Sequence, residues 1–299
     1  MMTFAALVLI FLTPGVALGQ HGDRTASIKV LPLDMAENSV DDQYDGCQEE
    51  MTSLIQITYL KQELMNISTN FNNAWKKGTD FCSSKHQKFT SDNLTWNHCI
   101  ALHAYTLDKN TPAKIFDVFN NATRAGRPNY INRTYGWYSL HFFLTVALQR
   151  LKAGQMFCKL TYRGTNSKFE IRNTEIRLNT FTSSSINRAV AQEFGKVSCF
   201  KIKTCHGVSI QDYSRFPNEG EVLIPPYETF KVTAVKKKSA NPSLWCETVY
   251  ELYSTGTRSN QQCELVKLEA SGESQIYNRY QPLVVSSAYI FTLIHTFLR

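Results

Sequence analysis

The spacing of apolar positions changes character once along the chain. Between Met51 and Trp75 the residues Leu54, Ile55, Ile57, Leu60 and Leu64 recur at helix-like spacing, which predicts an amphipathic helix. Leu94 to Leu107 and Pro112 to Arg124 predict two more, with Thr111 as a cap and Pro112 as a first-turn proline. Tyr138 to Lys152 predicts a fourth, strongly apolar helix. Past Gly154 come runs rich in β-branched and aromatic residues separated by turn residues: Phe157 to Tyr162, Phe169 to Phe181, Val197 to Thr204, Glu221 to Lys236 and Trp245 to Tyr253. A short helix is expected at Ser185 to Phe194. A helical half followed by a strand-rich half predicts an α+β fold, with N-terminal helices packed on a sheet-rich core. No internal repeat interrupts this order.

The two ends read differently from the middle. Phe4 to Leu12 is an apolar stretch followed by Pro14 and small residues through Gly19, the layout of a signal peptide over residues 1–19, although no Lys or Arg precedes it. Residues 20–46 are polar and acidic with little periodicity and predict a loose arm. The folded domain is expected over 47–268. The segment 269–299 ends in a largely apolar tail, Leu283 to Leu298, after a polar spacer and the small cluster Ala270-Ser-Gly272. That arrangement is the layout of a lipid-anchor (glycosylphosphatidylinositol) signal; a secreted product or a short membrane span are the alternatives. Four glycosylation acceptors, Asn66, Asn93, Asn121 and Asn132, agree with an extracellular chain.

Composition sharpens this reading in three places. The 299 residues, 43% of them hydrophobic, suffice for a substantial core. The net charge of +7 suits an anionic ligand, while the single basic run, Lys236-Lys-Lys238, gives no reason to expect nucleic acid. Eight cysteines, an even number, point to disulfides in a secreted chain, and no Cys-x-x-Cys spacing suggests a metal.

The candidate chemistry lies in three places. Arg163 closes a strand-like Leu160-Thr-Tyr-Arg-Gly164. Phe181-Thr-Ser-Ser-Ser185 is a hydroxyl cluster. Arg215-Phe-Pro-Asn-Glu-Gly-Glu-Val-Leu-Ile-Pro-Pro-Tyr-Glu228 sets Glu219 and Glu221 one residue apart, where an extended strand would place both on one side. An arginine, a serine cluster and a Glu-x-Glu in that order resemble the arginine-serine-glutamate class of mono-ADP-ribosyltransferases, above all the vertebrate ecto-enzymes that modify arginine.

The resemblance spans roughly 47–268 and implies a reaction, cleavage of the nicotinamide–ribose bond of NAD with transfer of ADP-ribose to arginine-bearing target proteins and no metal. It makes Glu221 the carboxylate that holds the ribose 2′-hydroxyl and stabilises the cationic ring. It gives Glu219 to the incoming guanidinium, which needs a base before it can attack. Arg163 is assigned to the NAD pyrophosphate, with Gly164 letting the ligand approach the backbone. Ser183 or Ser185 should fix the catalytic glutamate; Ser183 is favoured, since Ser185 could cap the helix that follows. Tyr105 should cover the NAD pocket, Ser214 contact the ligand, and Phe216 lie where the target docks. Cys158–Cys205 and Cys47–Cys263 follow from the family pattern; Cys82, Cys99, Cys199 and Cys246 lie outside its minimal set and their pairing stays open, with Cys82–Cys99 and Cys199–Cys246 as one choice. Gly220 departs from the family wording; it is expected to loosen the loop and favour plain NAD hydrolysis. A catalytically silent surface glycoprotein is the reading from another class.

Overall fold

The computed structural model describes residues 30–65, 70–107 and 115–270. The helical half opens with strand β1 (Val30–Leu33), then α1 (Gln48–Leu54), a π-helical turn (Ile55–Tyr59) and α2 (Leu60–Met65). It continues with α3 (Asn70–Cys82), α4 (His86–Ser91), α5 (Trp96–Tyr105), α6 (Ile115–Arg124), α7 (Arg127–Ile131) and α8 (Tyr138–Ala153). The expected Met51-to-Trp75 helix is therefore divided, since Trp75 belongs to α3. The predicted start at Thr111 and Pro112 lies outside the described residues. Helix α8 is buried along most of its length, as its apolar sequence predicts. Phe142 and Phe143 are about 1% exposed, and burying each such side chain stabilises the fold by about 1.5–3 kcal/mol.

The second half contains β2 (Lys159–Thr165), β3 (Lys168–Ile171), β4 (Glu175–Arg177), β5 (Thr182–Ser185), α9 (Arg188–Glu193), β6 (Ser198–Thr204), β7 (Val208–Ser209), β8 (Glu221–Ile224), β9 (Glu228–Lys237) and β10 (Thr248–Thr257). Among the described residues one sheet runs β4-β9-β10-β6-β2-β5-β8-β7, and β1 pairs with β3 apart from it. The run Phe169 to Phe181 serves both sheets, β3 in the small one and β4 at the edge of the large one. The run Glu221 to Lys236 is cut at Pro225-Pro226, which cannot donate to a ladder, so β8 and β9 occupy distant places in the sheet. The α+β architecture expected from the sequence is the one observed.

The large sheet is joined weakly at one point. β2 pairs with β6 over seven residues and β5 with β8 over four, but β2 meets β5 only at Tyr162 and Ser185. The sheet therefore parts between β2 and β5.

Residues 30–46 are not a loose arm. Ser39, Val40, Asp41, Asp42 and Tyr44 are fully buried. The guanidinium of Arg177 pairs with Asp41 in a site where neither side chain is exposed, and it also donates to the carbonyls of Met35 (2.7 Å), Ala36 (3.1 Å) and Arg258 (3.0 Å). Asp41 in turn accepts from the Asn260 amide at 2.9 Å. The polar character that suggested looseness is matched by partners more than a hundred residues away. The packed unit accordingly begins before residue 47.

The four cysteine pairs are Cys47–Cys263, Cys82–Cys99, Cys158–Cys205 and Cys199–Cys246, with no cysteine left free. The signal-peptide region, Asn66 and the C-terminal tail lie outside the described residues. Asn93, Asn121 and Asn132 are exposed.

Candidate active site

The parting between β2 and β5 is lined by the residues singled out in the sequence. Arg163 projects from β2, and its Nη1 donates across the gap to the Ser183 carbonyl at 2.6 Å. Only one of its five N–H groups is used in that bond, and burial lowers its pKa without removing its charge. Gly164 has a different reason from the one expected. A Cβ there would lie 2.2 Å from the Ala191 carbonyl oxygen and 2.4 Å from that of Gly195, so the glycine lets α9 pack on β2 rather than admitting a ligand.

Glu221 opens β8, opposite Ser185 in the register with β5. It is 7% exposed, and burial raises its carboxyl above the usual range. Hydrogen bonds from Ser183 and Ser214, the latter at 3.2 Å, and the nearby Arg163 charge oppose that rise, while Glu219 reinforces it. The Ser183 hydroxyl is a hydrogen-bond neighbour of both Glu221 and Tyr105. Ser185 acts on the neighbouring turn instead. Its Oγ donates to the Glu219 carbonyl at 2.6 Å and accepts from the Asn187 amide at 2.9 Å. Helix α9 is capped by Asn187, not Ser185.

Glu219 does not extend the strand. It ends a 3-10 turn, Pro217–Glu219, and Gly220 follows with φ 57° and ψ 45°, a left-handed conformation that glycine adopts without penalty. The two glutamates therefore do not share a pleat. They meet because the turn folds Glu219 back beside Glu221, close enough for its charge to act on Glu221. Nor does Gly220 loosen the loop. The Ile186 amide donates to its carbonyl at 3.2 Å, and its α-carbon faces Ile186 so closely that a Cβ would sit 2.9 Å from Cγ1.

Tyr105 lies buried beneath the serines. Its hydroxyl donates to the Phe181 carbonyl at 2.8 Å and accepts from Asn120 Nδ2 at 3.2 Å. Burial pushes its pKa up to about 12, so it keeps its proton. Ser214 is buried, whereas Phe216 is 38% exposed on the turn before Glu219. Two residues of this assembly carried no signal of their own in the sequence, Asn120 and Ile186; an amide on a helix and an isoleucine after a serine cluster are too common to attract notice. Glu228 closes the motif quoted from the sequence. Its carboxylate accepts from Thr204 Oγ1 (2.6 Å), the Cys205 amide (2.7 Å) and the His206 amide (3.1 Å), which locks the end of the motif to the turn after β6. Among the described residues no group of three or more His, Cys, Asp or Glu is placed to hold a metal ion.

This arrangement offers a buried carboxylate held by two hydroxyls, a second carboxylate on a turn beside it, and an arginine across an open seam. A profile described as NAD:arginine ADP-ribosyltransferase matches residues 33–248. The chain belongs to the NAD:arginine ADP-ribosyltransferase family. NAD(P)(+)--arginine ADP-ribosyltransferase 1 of Gallus gallus is 35% identical over 256 residues, 83% of this chain and 77% of that protein. Ecto-ADP-ribosyltransferase 5 of Homo sapiens is 34% identical over 254 residues, 80% of this chain and 84% of the relative. A crystal structure of a mutant of the eukaryotic mono-ADP-ribosyltransferase ART2.2 in complex with NAD superposes with a TM-score of 0.65 at 31% identity, covering 78% of this chain and 98% of that one. The family's enzymatic character, with NAD as substrate, is thus that of this chain.

Proposed function

We propose that this ADP-ribosyltransferase acts outside the cell, on arginine side chains of surface or secreted proteins, with Glu221 as the catalytic carboxylate. The observation that carries the reading is the buried Glu221 held by Ser183 and Ser214 beside the seam that Arg163 crosses. In this reading Arg163 turns its remaining N–H groups to the NAD pyrophosphate. A planar fork suits phosphate oxygens better than a point charge. Glu221 accepts from the ribose 2′-hydroxyl and faces the ring as its bond to nicotinamide breaks, where a fixed negative charge stabilises the oxocarbenium-like transition state. Ser183 and Ser214 supply hydrogen bonds that keep the carboxylate ionised against its burial. Glu219 takes a proton from the acceptor guanidinium as its nitrogen attacks the ribose carbon, and nicotinamide leaves neutral.

The extracellular setting rests on the sequence and on relatives. Relatives of Oryctolagus cuniculus and Mus musculus carry names that call them GPI-linked. Four disulfides fit an oxidising compartment. Exposure of Asn93, Asn121 and Asn132 leaves each acceptor open to a glycan. The test of the reaction supplies NAD labelled in its adenylate half together with a small guanidine. Labelled guanidine in step with nicotinamide release is the expected result. Nicotinamide release without labelled acceptor would make the chain a hydrolase, and absence of both would leave it a binding protein.

A further inference from the structure

A cavity of about 660 Å³ is lined on one side by the loop that carries Ser214 to Pro217. It shares Ser214 with the carboxylate site but is not lined by Arg163, Ser183 or Tyr105. Its base is apolar and fixed. Phe81 stacks on His103 with ring centroids 3.9 Å apart and planes within 10°. His103 Nδ1 donates to the Tyr213 carbonyl at 3.0 Å, and the Arg215 amide donates to Thr106 Oγ1 at 2.9 Å. The loop is thereby tied to α5 before any ligand arrives.

The rim is cationic. Lys77, Lys85 and Arg215 line the cavity against one carboxylate, Asp212. Asp212 shares Lys88, at 3.1 Å, with Asp92, at 3.2 Å, so the rim's excess of positive charge rests on Lys77, Lys85 and Arg215 outnumbering the one lining carboxylate. Lys85 lies 5.4 Å from the centre of the Phe81 ring. Two residues past Pro217, on the same 3-10 turn, stands Glu219. The surface along this loop therefore reads negative at Glu219 and Glu221 and positive at the cavity. An arginine is attracted by the first and repelled by the second.

We propose that this cavity is a docking site for acidic side chains that flank the acceptor arginine in a target protein. A 3-10 turn rises about 2 Å per residue and an extended peptide about 3.3 Å, so carboxylates within a few residues of the arginine reach the rim. The apolar base favours an aromatic or aliphatic side chain between them. Charge complementarity of this kind selects partners and speeds encounter. The inference rests on transfer to arginine and adds the class of sequence around it.

The test compares two arginine peptides, one with glutamates flanking the arginine and one with glutamines, together with a small guanidine that cannot reach the cavity. The wild-type protein is expected to use the glutamate peptide about fivefold better, as a pair of partly exposed ion pairs implies, and to lose that preference in high salt. In Lys77→Glu/Lys85→Glu the preference should vanish or invert, and Lys77→Arg/Lys85→Arg should keep it, while turnover of the small guanidine stays unchanged. Equal use of the two peptides by the wild type overturns the proposal. So does a preference that survives the double charge reversal. A raised KM for NAD with the small guanidine in the charge-reversed variant would assign the cavity to NAD and also overturn it. Were no acceptor turned over at all, the transferase reading would fail first. Anisotropy of the labelled glutamate peptide then decides the docking site by itself: binding lost in the charge-reversed variant supports it, and absence of binding to the wild type refutes it.

Discussion

Glu221 sits in a conflict between burial, which favours its neutral form, and two serines and an arginine, which favour its charge. Its carboxyl is raised, so as pH falls the charge is lost earlier than from an exposed glutamate. The acidic limb of kcat/KM is therefore expected above 4.5, the ordinary glutamate value. Ser214→Ala removes a donor to the charged form and should move that limb to still higher pH; an unmoved limb would mean that Ser214 does not hold the carboxylate. Gly220 supports a separate prediction. Alanine at its left-handed φ costs about 1–2 kcal/mol and brings a Cβ against Ile186. Gly220→Ala should lower transfer several-fold while sparing NAD cleavage, measured as the ratio of labelled acceptor to nicotinamide. Much at this scale was legible in the sequence, because the motif names its residues. What was not legible was the turn: an alternation of glutamates implied a pleat, and only the backbone shows that Glu219 is folded back by a 3-10 turn and a left-handed glycine.

Elements were read well where the hydrophobic period was strong and poorly where one run serves two neighbours. Helix α8 and strand β6 fall within two residues of their expected bounds. The run Phe169 to Phe181 reads as one strand by composition, yet pairing partners divide it, and partners cannot be seen from the run itself. The same is true of the β2–β5 seam, which depends on a register of one pair. Gly164 tests the packing that borders it. Gly164→Val should push α9 off β2 and destabilise the protein, seen as a lower Tm, with a loss of activity that follows the loss of fold. A stable, active valine variant would show that α9 does not need this close approach.

On the scale of the whole molecule the arm at 30–46 is the largest departure from expectation. Asp41 and Asp42 lie in a segment whose polar, aperiodic sequence predicted a loose arm, whereas Arg177 and the segment at 258–263 bury them. Replacing Arg177 by methionine would strand a buried Asp41 and should cost about 3–5 kcal/mol, read from chemical denaturation. Buried titratable groups make stability depend on pH in both directions. Glu63 is pushed up to about 7 and Asp42 up to about 6 by burial. Each holds a proton in the folded state that the unfolded chain has released. Their stabilising contribution is full below about pH 4 and fades as pH rises through 6 to 7. His98 and His141, lowered to about 3 by burial, act oppositely: their contribution is present above 6.5 and is lost as pH falls below it. Glu63→Gln isolates one side of this balance. It should raise Tm relative to wild type at pH 8 and give a much smaller gain at pH 5, and a gain that is the same at both would contradict the raised Glu63.

The central claim is that Glu221 breaks the NAD bond and Glu219 directs the product to arginine. It is tested most directly by following nicotinamide release and acceptor labelling together in Glu219→Gln and Glu221→Gln. The expected result is that Glu219→Gln loses transfer and keeps NAD cleavage, whereas Glu221→Gln loses both. Full NAD cleavage by Glu221→Gln would contradict the assignment of the site.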